Sequence, residues 1–316
     1  MLRATLIAAV LTGCSDYDFT KRHTVDEPRL DTGTPEPYAG PTTQTHVDTF
    51  QIDQKTDVLV FGDTSGSMEV ELLTLADNVG VFVDRLAELV VDWQLMAVTG
   101  PDGCAQQGVL TAADGDYRER FAAGITTPPG VDLVDEWGLY NSMIALENTG
   151  IDGCNSGFLR EDALLHVVII SDEDDNSPGY EDGGDYWKDY VLAMQAIKGD
   201  AWKVHLSFVG GAVPDGCDGA EPGYGYWEAV QFTEGEFISI CDDWASQLSV
   251  LADISASQST FSLSHDPILA SLRLFVNSEE RTDGWSFRES DNAIHFDENA
   301  PWSGDIVKVA YDSASP

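Results

Sequence analysis

The sequence predicts an α/β protein with a doubly wound, mostly parallel (Rossmann-like) sheet, followed by a small all-β unit. Apolar strands without interruption, above all residues 164–170, alternate with segments whose apolar residues recur at helical spacing. Such strands lack the one-sided pattern of a half-exposed sheet, so helices should cover both faces. Beyond residue 258 the helical period stops, and short strands with turns between them take over.

The elements follow in order. Residues 57–61 read as a buried strand, and Val70, Leu72, Leu75, Val79, Phe82, Val83, Leu86 and Leu89 mark the helix after it. Residues 93–98 are a second strand. The stretch 109–123 is ambiguous, with a weak strand at 109–110. Leu139, Met143, Ile144 and Leu146 suit a helix, residues 164–170 form the strongest strand, and 186–197 suit another helix. Strands at 204–209 and 237–240 and a helix at 244–254 complete a domain over 55–258. Short strands at 260–263, 272–276, 285–287, 293–296 and 306–309 make up the β unit, 259–316.

The start of the chain has its own signature. One arginine precedes a short apolar stretch, residues 4–11, that is too short to span a bilayer and ends in Leu11-Thr12-Gly13-Cys14. This resembles a bacterial lipoprotein signal, which implies cleavage after residue 13 and a lipid on Cys14. Ser15 stands where an Asp would favour the inner membrane, so the expected location is the outer membrane, on its periplasmic face or at the cell surface. Contact with the membrane is then through the lipid alone. Residues 14–50, with Thr-Gly-Thr-Pro-Glu-Pro and few large apolar side chains, read as a tether with a reach of about 35 Å.

Charge narrows the partners. The chain carries 55 Asp and Glu against 16 Lys and Arg, a formal net charge of -39. Such a surface repels phosphate backbones and anionic headgroups, so no nucleic acid partner is expected. In an exported protein, Cys104, Cys154, Cys217 and Cys241 read as two disulfides rather than a zinc site, because no CxxC pair exists. The preferred pairing joins Cys217 to Cys241, both of which follow predicted strands in one part of the chain. Cys104 is left with Cys154.

The chemistry centres on Asp63-Thr-Ser65-Gly-Ser67-Met68, directly after the first strand. In doubly wound folds ligands sit outside the carboxyl ends of strands, and Asp172 also lies just past such an end. A carboxylate from each loop with two serine hydroxyls offers hard oxygen donors suited to Mg²⁺, with Mn²⁺ or Ca²⁺ as alternatives. This D-x-S-x-S pattern resembles the metal-ion-dependent adhesion site of von Willebrand factor type A domains, over roughly residues 55–258. The resemblance implies Asp63, Ser65, Ser67 and Asp172 as metal ligands and a protein ligand as partner, with no catalysis. It also implies a threonine near residues 131–138, where Glu136 or Asp135 stands instead. The chain further resembles exported bacterial A-domain lipoproteins through Gly157-Phe-Leu-Arg160, Ser171-Asp-Glu-Asp-Asp175 and Ile240-Cys-Asp-Asp-Trp244. In those the threonine position is often acidic, which adds Glu136 to the expected metal set.

Other readings compete. The same residues could simply turn the chain and cap the next helix. A structural envelope scaffold would use the ion only to stiffen its loops. A serine hydrolase would need Ser65 as nucleophile, but the stretch fails the G-x-S-x-G elbow, and His166 and His205 both sit inside predicted strands. The acidic stretch 172–185 offers a loose second metal loop through Asp174, Asp175 and Asp185, without EF-hand order. Tyr180, Tyr186, Trp187, Tyr224, Tyr226 and Trp227 could form an aromatic contact surface or pack inside.

Overall fold

Strand β2 (Lys55–Gly62) is buried at every residue after its first, which requires cover on both faces of its sheet. The computed structural model describes residues 43–52, 55–126 and 137–314. The signal peptide, Cys14, tether residues up to 42, Asp135 and Glu136 lie outside them. β2 pairs in parallel with β3 (Asp92–Val98) on one side and β5 (Leu164–Ile170) on the other. β6 (Val204–Gly210) and β7 (Phe237–Ser239) extend the parallel run, and β4 (Leu110–Thr111) closes the far edge antiparallel. The order is β4-β3-β2-β5-β6-β7.

Alternate side chains of β2 feed two cores. Val58 and Val60 meet Leu72, Leu75, Phe82 and Leu248 from the face covered by α1 (Glu69–Leu89), α2 (Tyr117–Thr126) and α6 (Leu248–Ile254). Leu59 and Phe61 meet Leu139, Val191 and Tyr226 from α3 (Gly138–Glu147), α4 (Tyr186–Lys198) and α5 (Tyr226–Thr233). Val168, Ile169 and Ile170 are almost wholly buried, each contributing about 2 kcal/mol through loss of apolar contact with water. The doubly wound sheet is thus present as the strand pattern predicts.

The amino end of the sheet is clamped by an ion pair. Asp57 is fully buried in β2 and accepts the Arg160 backbone N–H at 2.8 Å and its Nε at 2.7 Å. Arg160 also donates to Asp92 Oδ1 and the Thr56 carbonyl. Burial pushes the Asp57 carboxyl up to about 6, against the pull of Arg160. The Gly157-Phe-Leu-Arg160 stretch therefore serves this clamp. Both disulfides form with the preferred pairing, Cys104–Cys154 and Cys217–Cys241, at Cα separations of 5.7 and 6.3 Å.

Two departures from expectation concern the ends of elements and of the chain. Residues 43–50, assigned to the tether, belong to strand β1 (Thr43–Gln51), which pairs antiparallel with β13 (Ile306–Ala314) along its whole length. The sheet continues through β9 (Arg273–Val276) to β10 (Glu279–Arg281), and a second sheet runs β11-β12-β8 (Trp285–Arg288, Ala293–Phe296, Thr260–Ser262). Phe261, Leu274, Ile294, Val307, Val309 and Tyr311 fill the space between them. The β unit is a two-sheet sandwich that draws one strand from each end of the described chain. The eight-residue helix α5 also escapes the periodicity, because its Tyr-Trp start reads as an aromatic surface.

Candidate metal centre

Asp63 begins where β2 ends, and its backbone N–H still bonds to the Ile170 carbonyl of β5 at 3.0 Å. The loop then turns back on the carboxylate. Asp63 Oδ1 accepts the Ser65 N–H at 2.7 Å, and Oδ2 accepts the Ser171 hydroxyl at 2.8 Å. The hydroxyls of Ser65 and Ser67 lie 3.1 Å apart, and Ser67 Oγ donates to Asp172 Oδ1 at 3.3 Å. The four residues expected together, Asp63, Ser65, Ser67 and Asp172, therefore converge at the carboxyl ends of β2 and β5. Gly66, exposed with open space around it, leaves the mouth of the cup unobstructed.

The electrostatics of this cup are unbalanced. Asp63 and Asp172 are 3% and 8% exposed, yet no cationic side chain pairs with either among the described residues. Burial raises the Asp172 carboxyl above its ordinary range, and the negative charges of Asp63 and Glu71 push the same way, against the Ser67 hydrogen bond. Thr64 Oγ1 and Glu71 Oε2 are enclosed without a hydrogen-bond partner among the described residues. Two buried, uncompensated carboxylates beside two hydroxyls suit a hard divalent cation. A cleft of about 200 Å³ opens beside the cup, lined by Ser65, Gly66, Glu69, Leu73 and Thr126 among others.

Ser171 was not legible as part of the site. It is fully buried, and its hydroxyl holds Asp63 while accepting the Glu173 N–H at 3.1 Å. The Ser171-Asp-Glu-Asp-Asp175 stretch carries a family resemblance, but it assigns Ser171 no role at the ion.

The second metal loop does not assemble. Among the described residues no group of three or more His, Cys, Asp or Glu side chains gathers as a metal site. Asp175 turns inward instead, fully buried, and accepts the Leu139 N–H at 3.1 Å and the Ser177 hydroxyl at 2.8 Å. Burial lifts its carboxyl to about 7, against those hydrogen bonds. Asp174 faces the Tyr180 hydroxyl, and Asp185 is exposed at the start of α4.

The aromatic residues divide. Tyr180 and Tyr224 are about 40% exposed, Tyr226 is fully buried, and Tyr186 donates its hydroxyl to the Asp175 carbonyl. The two strand histidines are interior. His166 bonds Ser255 Oγ at 2.6 Å and Ser207 Oγ at 2.7 Å, and His205 Nδ1 lies 2.9 Å from the Thr233 carbonyl. Among the described residues neither bonds to Ser65.

No protein-family model matches the sequence, and no curated protein matches it. Solved structures do resemble it. One is a von Willebrand factor type A protein from Catenulispora acidiphila, with 11% identity over 88% of this chain and a TM-score of 0.44. Another is proximal thread matrix protein 1 from the mussel byssus, with 15% identity over 69% of this chain and a TM-score of 0.41. A third is the pilus adhesin SpaC of Lactobacillus rhamnosus GG, at 10% identity over 86% of this chain and a TM-score of 0.35. The chain spans 62%, 51% and 41% of those three chains.

Proposed function

We propose that this chain is a lipid-anchored protein of the bacterial envelope whose α/β domain is a von Willebrand type A domain that binds a divalent cation and, through it, a protein partner. The observation that carries the reading is the pair of buried carboxylates, Asp63 and Asp172, joined to Ser65 and Ser67 with no cationic side chain among the described residues to balance them. Burying charge without compensation is costly, and the fold tolerates it where an ion completes the site. A bound Mg²⁺ would supply that positive charge and a place for a partner's oxygen ligand. Asp63, Ser65, Ser67 and Asp172 would hold it, and Glu136 is the further candidate.

Export is supported by the Leu-Thr-Gly-Cys14 box and by the two disulfides, which belong to an oxidising compartment. Among the described residues no helix is long and apolar enough to cross a membrane. The sandwich lies at the amino end of the sheet, because Ile52 is in its core and β2 starts three residues later. The cup stands at the other end of β2, about 25 Å away for a strand of this length.

The test is calorimetric titration of Mg²⁺, Mn²⁺ and Ca²⁺ into the protein and into Asp63→Ala, followed by partner capture with and without EDTA. Heat of binding that vanishes in Asp63→Ala, with capture abolished by EDTA, is the expected result. Equal heats in both proteins would place the ion elsewhere on the acidic surface. Capture that survives EDTA would reduce the ion to a stiffener of the loops.

A further inference from the structure

We infer that Asp175 is a positioning residue for the ion cup, locking the loop that carries Asp172 to the start of α3. The inference rests on the cation-binding reading above and deepens it. A helix begins with backbone N–H groups that have no partner in the helix, and a residue just before it usually caps them. α3 is not capped that way, since Trp137 makes no side-chain cap bond. Three successive amides are taken instead by side chains from distant segments. Gly138 N–H goes to the Tyr226 hydroxyl at 3.1 Å, Leu139 N–H to Asp175 Oδ1 at 3.1 Å, and Tyr140 N–H to Ser177 Oγ at 3.0 Å.

Asp175 is the centre of this junction. Its Oδ1 accepts the Ser177 hydroxyl at 2.8 Å as well as Leu139 N–H. Its own N–H donates to the Tyr224 carbonyl at 2.9 Å, and its carbonyl accepts the Tyr186 hydroxyl at 2.5 Å. One buried residue thus ties the β5 loop to α3, to α4 and to the segment before α5. The junction is closed tightly enough to demand glycine twice. A Cβ at Gly138 would stand 2.5 Å from the Tyr226 hydroxyl, and one at Gly225, where φ is +84°, would stand 2.9 Å from Asp175 Cβ.

The consequence follows from the path of the loop. Ser171 grips Asp63 at one end of the segment 171–177, and Asp175 with Ser177 grips α3 at the other. Asp172 lies between the two anchors and faces Ser67. With both ends held, its carboxylate is preorganised toward the cup. Releasing the α3 end frees the loop to swing. Outer partners of this kind typically alter metal affinity by about 10- to 100-fold when removed.

The experiment measures Mg²⁺ affinity by calorimetry for the wild type, Asp175→Ala, Asp175→Asn, Ser177→Ala and Asp63→Ala, with thermal melts in EDTA for each. Asp175→Ala should bind Mg²⁺ about 10-fold or more weakly. Asp175→Asn should recover most of the loss, because its amide oxygen can still accept from Leu139 and Ser177. Ser177→Ala should weaken binding in the same direction, and it decides the matter if Asp175→Ala does not fold. A purely structural role would lower the EDTA melting temperature while leaving Mg²⁺ affinity at the wild-type value, and that result overturns the inference alone. Wild-type protein that binds no Mg²⁺ overturns the cation reading and this inference with it.

Discussion

Glu234 and Arg288 meet at 2.8 Å across the seam between the α/β domain and the β sandwich. Glu234 follows α5 with a left-handed φ of 57°, a conformation few non-glycine residues hold without cause. It is the left-handed residue that ends α5, with the Gly235 N–H returning to the Val230 carbonyl at 3.1 Å, and its side chain meets a cluster of donors. Ser259 and Thr260 donate hydroxyls to its carboxylate, Arg288 donates Nη1, and His295 Nδ1 lies 3.2 Å away. Burial raises its carboxyl, but the Ser259 bond, His295, Thr260 and Arg288 together hold it below the ordinary glutamate range. Strands β8, β11 and β12 are thereby fastened to one residue of the α/β domain.

Removing that residue should loosen the seam. Glu234→Ala removes the shared acceptor of Ser259, Thr260 and Arg288 while Asp291 still pairs with Arg288, and we expect a destabilisation of about 1–2 kcal/mol. Glu234→Gln should cost less. Chemical denaturation checks the magnitude, and limited proteolysis between residues 254 and 260 checks the location. Wild-type stability and unchanged cleavage would show that the clasp is incidental.

The ion should register as stability. At a concentration 100 times its dissociation constant, a ligand bound only by the folded state stabilises it by about 2.7 kcal/mol. Differential scanning calorimetry with and without Mg²⁺ should show this increment in the wild type and none in Asp63→Ala. Equal increments in the two proteins would exclude the cup as its source.

His166 makes the fold acid-sensitive. Complete burial pushes its pKa down to about 3, with the nearby His205 acting in the same direction, while the unfolded chain keeps an ordinary imidazole near 6.5. Between those values the unfolded state binds the extra proton, so stability is full above about 6.5 and is lost as pH falls toward about 3. The slope for this one group is about 1.4 kcal/mol per pH unit. Urea unfolding from pH 7.5 to 5 should show His166→Gln with a shallower pH dependence than the wild type. Parallel curves would mean that His166 does not set it.

The disulfide between Cys104 and Cys154 closes a loop with a sequence separation of 50. Constraining a loop of that size in the unfolded chain is worth about 4 kcal/mol on the chain-entropy account. It also holds the 99–109 segment beside α3, where Asn155 bonds to the Ala105 N–H and the Gly103 and Ala145 carbonyls. The double variant Cys104→Ser, Cys154→Ser should lose stability in this range when measured by denaturant unfolding under non-reducing conditions.

The sequence alone determined most of the strands and helices from residue 55 onward, though not α5, and the Asp-x-Ser-x-Ser stretch at the end of the first strand, while the cysteine pairing stayed a preference. Each is a local or compositional signal, because burial on both faces of a strand shows as uninterrupted apolar residues, and Asp-x-Ser-x-Ser bends the chain where a ligand can sit. Tertiary structure decided what the neighbours in sequence do not encode. β1 alternates weakly and looks like a linker until β13, more than 250 residues away, supplies its hydrogen bonds. In sequence Ser171 stands only within the Ser-Asp-Glu-Asp-Asp stretch, Asp175 reads as part of a second metal loop, and Glu234 carries no signal. They became holders of the cup, of α3 and of the sandwich only because distant backbone N–H groups and side chains, brought close by packing, required partners away from water.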